Sequence, residues 1–106
     1  MRIIVPDAEK YMRAYALDDK AFFERLKELG GTSEPLPTKD TICNQMFHMG
    51  GAHLFAWDFE TLDYVTRQIG FKSIKQSQQN DSSTTHCIDG QDWWRPVESL
   101  YADLVR

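Results

Sequence analysis

The segment Met1-Arg2-Ile3-Ile4-Val5-Pro6-Asp7 limits the possible folds more than any other part of this chain. An apolar run of β-branched residues without polar alternation is the pattern of a strand covered on both faces, and such strands belong to the interior of α/β sheets. Pro6 stops the strand and Asp7 is a helix cap, so the run reads as strand, stop and helix start. A covered strand needs neighbours, and a chain that opens on one is expected to open in the middle of a fold.

Helix signals follow. Ala8, Tyr11, Met12 and Tyr15 recur at helical spacing as the apolar side of a short helix. Asp18 and Asp19 place negative charge ahead of Phe22, Phe23, Leu26 and Leu29, and Gly30-Gly31 closes this second helix. Pro35 and Pro37 make Gly31 to Asp40 a loop, a helical turn is expected at Ile42 to Phe47, and His48 to His53 carries no assignable pattern. Asp58 caps a further helix with Leu62, Val65 and Ile69 on one face and Gly70 at its end. Phe71 to Ser77, with two lysines, has the composition of an edge strand. After a polar loop from Gln78 to Thr85, Trp93 to Pro96 leads into Ser99 to Val105, where Leu100, Ala102 and Leu104 alternate as in a strand.

The 106 residues are 42% apolar and carry a net charge of -4, which fits a small folded domain and excludes a disordered tail. The basic residues are scattered, so no nucleic-acid partner is expected. No apolar stretch approaches the roughly 20 residues that span a bilayer, so no membrane partner is expected. Cys43 and Cys87 lie far apart, without a secretory leader, and read as free thiols of a cytoplasmic protein.

Three segments in order carry a family resemblance: Arg2-Ile3-Ile4-Val5-Pro6-Asp7, then Asp58-Phe59-Glu60-Thr61-Leu62 with Ile69-Gly70-Phe71, then Arg95-Pro96-Val97-Glu98-Ser99-Leu100-Tyr101. Over nearly its whole length the chain resembles the C-terminal portion of class I S-adenosylmethionine-dependent methyltransferases. The resemblance implies an α/β fold in which the first segment is the family's fifth strand and the last strand is antiparallel, inserted between the fifth and the sixth. Residues 2 to 5, 99 to 105 and 71 to 77 would then form a small three-stranded mixed sheet in that spatial order, with three to four helices, as a single truncated methyltransferase-like domain over residues 1–106.

The family's glycine-rich loop and ribose-binding acid have no counterpart in this sequence. Gly30-Gly31 and Gly50-Gly51 do not follow a buried strand and open a helix, as a nucleotide fingerprint requires. The resemblance therefore implies S-adenosylmethionine for the full-length family and no cofactor for the isolated chain. The expected function is a non-catalytic fragment or stand-alone module resembling the substrate-side part. One alternative is a subunit that completes a methyltransferase with a separate cofactor-binding chain.

By the same resemblance Asp7, Tyr11, His48, His53 and Trp57 would face the substrate, although Phe47, Leu54, Phe55 and Trp57 also suit plain packing. A second alternative is a small metal-binding protein using Cys43, His48 and His53. Their spacing is unlike the short paired spacing of structural zinc sites, and His86-Cys87 stands far along the chain. Neither Trp93-Trp94-Arg95 nor Ser82-Ser83-Thr84-Thr85-His86 completes a stacking groove or a nucleophile relay. Bare strand edge and apolar surface predict a homodimer, through the N-terminal strand or through the helix carrying Phe22 and Leu26.

Overall fold

The computed structural model describes residues 1–32, 36–48, 52–82, 89–90 and 92–106. The described residues form β1 (Arg2–Pro6), α1 (Ala8–Ala16), α2 (Lys20–Glu28), α3 (Lys39–His48), α4 (Phe59–Gln68), β2 (Ser73–Ser77), α5 (Arg95–Glu98) and β3 (Ser99–Val105). The sheet order is β1-β3-β2, as the resemblance implied. Both ladders are antiparallel, with Ile4 opposite Tyr101 and Ser77 opposite Tyr101 from the other side. The sheet is thus not mixed: β1 and β2 run in the same direction, but β3 separates them.

Helix ends follow local chemistry. Asp7, Asp19 and Asp58 cap α1, α2 and α4, each carboxylate accepting a backbone N–H of the first turn. After α2, Gly30 N–H donates to Lys27 O at 3.1 Å and Gly31 N–H to Leu26 O at 2.8 Å, with Gly30 at φ +80°. This paired closure needs a left-handed residue, which glycine adopts without cost. The same closure ends α4, where Gly70 has φ +98°. A fifth helix, the single turn α5, exceeds the expected count because Pro96, at its start, has a φ already suited to a first helical turn. The turn expected at Ile42 to Phe47 is the ten-residue helix α3.

Two apolar clusters hold the layers. Leu100, Ala102 and Leu104 of β3 meet Leu62 of α4, with Ile3, Val5, Phe59 and Ile74 packed against them. Ala8, Tyr11 and Ala14 of α1 meet Phe23, Leu26, Ile42 and Met46 of α2 and α3. Met12 and Tyr15, expected on the buried side of α1, are exposed, and the buried side is Ala8, Tyr11 and Ala14. The face of α2 expected to seek a partner is covered within the chain: Leu26 is 0% exposed, and Phe22 stacks edge-on against Tyr11 and Phe23.

β3, not β1, is the strand buried on both faces. Met1 N donates to Leu104 O at 2.8 Å, Leu104 N–H to Met1 O at 2.7 Å and Asp7 N–H to Glu98 O at 2.8 Å. An antiparallel ladder alternates, so Ile3 and Val5 share this inward phase, and the backbone groups of Arg2, Ile4 and Pro6 point to the outer edge. Pro6, which has no N–H, is tolerated in that outward phase. At its carboxyl end this edge meets Trp57, through a parallel bridge to Asp7 and an Ala8 N–H to Trp57 O bond of 2.8 Å.

Candidate functional site

Because β1 and β2 point the same way, their carboxyl ends lie on one side of the sheet with the start of β3 between them. A cleft of about 840 Å³ opens there, lined by Lys10, Gln76, Ser77, Gln78, Ser99 and Tyr101 among others.

A buried polar cluster forms the floor beside it. Asp7 caps α1 by accepting from Glu9 N–H at 3.0 Å, and burial pushes its carboxyl above the ordinary value. One turn on, Tyr11 donates its hydroxyl hydrogen to Glu98 Oε2, both residues being buried. Burial raises the Glu98 pKa, against the opposing effects of the Tyr11 hydrogen bond and of nearby His53, Arg95 and Lys10. Tyr11 is raised as well, first by burial and then by the adjacent Glu98. Lys10 Nζ donates to Ser99 O at 2.8 Å and Pro96 O at 3.4 Å, and burial lowers its pKa. Residue type thus matches place: the charged residue just before β3 meets the first turn of the helix just after β1.

The opposite wall is fixed by Arg2. Its guanidinium donates to both oxygens of Asp89, at 2.7 and 2.6 Å, to Ser77 Oγ at 2.6 Å and to Gln78 O at 2.6 Å. A further bond reaches Asp103 Oδ1 at 3.3 Å, and Asn80 N–H donates to Asp89 Oδ2 at 2.6 Å. A two-pronged guanidinium–carboxylate pair fixes orientation as well as distance. Here it ties the chain after β2 to the first residue of β1.

The expected substrate-facing residues divide between two places. Asp7 and Tyr11 stand in the buried cluster, supporting the cleft rather than lining it. His53 joins them from the side: its Nδ1 lies 3.2 Å from Met46 O, so that nitrogen carries the hydrogen. Trp57 is half-buried against the sheet cluster, its ring 4.7 Å from that of Phe55, and bonds to the chain at Asp7 and Ala8 through its backbone. His48 is exposed at the end of α3.

Among the described residues no group of three or more His, Cys, Asp or Glu side chains is arranged to hold a metal ion, so Cys43, His48 and His53 do not form one. Cys43 is a free thiol whose pKa burial raises. His86 and Cys87 lie outside the described residues. Among the described residues, no helix is long and apolar enough to cross a membrane.

Sequence reading passed over Lys10, Glu98, Arg2 and Asp89. The available signal was a charge set against an apolar run: Arg2 immediately before Ile3-Ile4-Val5, and Glu98 immediately before Ser99-Leu100. Such a charge, drawn inside by its neighbours, must be paired.

No protein-family profile, curated protein or solved structure matches this chain.

Proposed function

We propose that the chain supplies the substrate-side, C-terminal part of a class I methyltransferase-like domain and does not bind S-adenosylmethionine on its own. The observation that carries this reading is the β1-β3-β2 order with an antiparallel final strand in the middle, combined with a cleft at the carboxyl ends of β1 and β2. Gly30 and Gly31 follow a helix rather than a strand, unlike the cofactor loop of the family, and Gly50 and Gly51 lie outside the described residues. A free thiol at Cys43 agrees with a cytoplasmic setting. In this reading the outer edge of β1 is a partner surface, and the partner is a second copy of the chain.

Isothermal titration of S-adenosylmethionine into the 106-residue chain tests the cofactor claim. No saturable heat is expected, and a micromolar isotherm would overturn it. If the chain instead completes an enzyme with a separate cofactor-binding chain, saturable heat emerges only when that chain is added.

A further inference from the structure

Tyr101 stands in the middle of β3, lines the cleft and is 3% exposed, yet its hydroxyl has no hydrogen-bond partner. A buried hydroxyl left unpaired costs free energy that a ligand or water atom restores. Around it the described lining residues are rich in groups that both donate and accept. Gln78 and Gln79 bring amides, Ser99 brings a hydroxyl, and the Ser77 hydroxyl, which accepts from Arg2, can still donate. Gln79 Nε2 donates to Gly90 O at 2.9 Å, which leaves its carbonyl and a second N–H for another partner.

Among the described residues the charges in the lining cancel. Lys10 and Asp81 are the ionic members there, and Lys10 also lies near the buried carboxyls of Asp7 and Glu98. Two of the three Lys10 ammonium hydrogens are directed to Ser99 O and Pro96 O, so one donor remains. A cleft with paired charges and many amides offers little to an anion. It suits a molecule with many hydroxyls, each able to donate and accept, and its volume of about 840 Å³ is ample for one.

We propose that this cleft binds a neutral, hydroxyl-rich small molecule of the saccharide class, held by Lys10, Tyr101 and the amides of Gln78 and Gln79. The binding does not depend on a methyl-transfer role; it deepens the reading above only by naming the class of acceptor that the site would take. Failure of the cofactor prediction and failure of this one are read in separate titrations.

The test is a titration of the isotopically labelled chain with maltose, followed by amide NMR, with inorganic phosphate as the anionic comparison. Saturable shifts are expected at the Ser99 amide and at the side-chain amides of Gln78 and Gln79, with phosphate leaving them unmoved. Tyr101→Phe removes the unpaired hydroxyl alone, and Gln78→Ala removes an exposed wall amide whose loss the fold tolerates. Each should weaken maltose binding about fivefold. The proposal is overturned by the absence of shifts at these residues up to ~100 mM maltose, well beyond a millimolar dissociation constant. It is equally overturned if phosphate saturates the same resonances more tightly, or if Gln78→Ala and a folded Tyr101→Phe both bind as the parent does.

Discussion

Arg2 and Asp89 face each other through two parallel hydrogen bonds, Nε to Oδ1 at 2.7 Å and Nη2 to Oδ2 at 2.6 Å, and both side chains are buried. The pair lies behind the wall of the cleft, and Asp103, Ser77 and the Gln78 carbonyl are the other partners of the guanidinium. A buried pair of this kind adds little over an apolar substitute, yet breaking one side strands a charge.

Asp89→Asn should therefore destabilise the chain by about 3 kcal/mol at neutral pH. The Arg2 hydrogen bond holds the Asp89 carboxyl below its ordinary value. A depressed folded pKa gives stability that is present above the unfolded value of 3.8 and lost as pH falls through the folded pKa. Urea unfolding at a series of pH values should thus show the gap between parent and variant closing in acid. A gap that stays constant down to the lowest pH would refute the pairing.

Glu98 should behave with the opposite sign. Burial raises its pKa, so its folded form is favoured while protonated and loses stability as pH rises from the unfolded value of 4.5 through the folded pKa. Glu98→Gln keeps an acceptor for the Tyr11 hydroxyl and removes the charge. The variant should be more stable than the parent by about 1 kcal/mol at neutral pH, with the difference vanishing in acid. Thermal melts across the same pH series measure this, and a variant less stable than the parent at neutral pH would contradict it.

Gly31 makes a separate demand. A Cβ there would stand 2.6 Å from Leu26 Cδ2 and 2.9 Å from Trp94 Cβ, where the end of α2 meets the residues leading into α5. Gly31→Ala should cost about 2 kcal/mol through overpacking of this contact. Gly30→Ala meets nothing within 4 Å but is held at φ +80°, so only the roughly 1 kcal/mol of left-handed strain applies. Denaturant midpoints that rank the two in the reverse order would defeat the assignment.

Element order was legible because it rests on local signals, Asp caps, glycine stops and the lysines that mark β2 as an edge, whereas the strand neighbours came from the family resemblance alone. What the sequence concealed was pairing at long range. Arg2 has no partner near it in sequence and meets Asp89 and Asp103 only in the fold, and Glu98 likewise meets Tyr11 only where α1 places it. The same limit explains β1. Its apolar run suggested a strand covered on both faces, yet within this sheet it borders one neighbour, and β3, whose Ser99 and Asp103 look half-polar, is the fully covered strand. Those polar positions are buried where the network accommodates them: Lys10 bonds Ser99 O, and Arg2 with Ser82 bonds Asp103.

The outer edge of β1 gives the last prediction. Outward-phase N–H and C=O groups at Arg2 and Ile4 form a template for another strand, while Pro6 and the Asp7–Trp57 bridge blunt its carboxyl end. A two-fold partner would run antiparallel and centre on Ile4, so that each Ile4 N–H meets the other copy's Ile4 C=O, and each Arg2 N–H meets a Pro6 C=O that returns no donor. So short a contact predicts a weak, concentration-dependent homodimer by sedimentation or light scattering. Ile4→Pro removes an outward N–H but no bond to β3, and should yield a monomer with near-parental melting. Ile3→Pro, in the inward phase, should unfold the sheet. A parent chain that stays monomeric at all concentrations defeats the idea. A dimer that survives Ile4→Pro would move the interface to the exposed Met12, Tyr15 and Phe47 side of α1 and α3, because the α2 face is already consumed by Leu26 and Phe23 inside the chain.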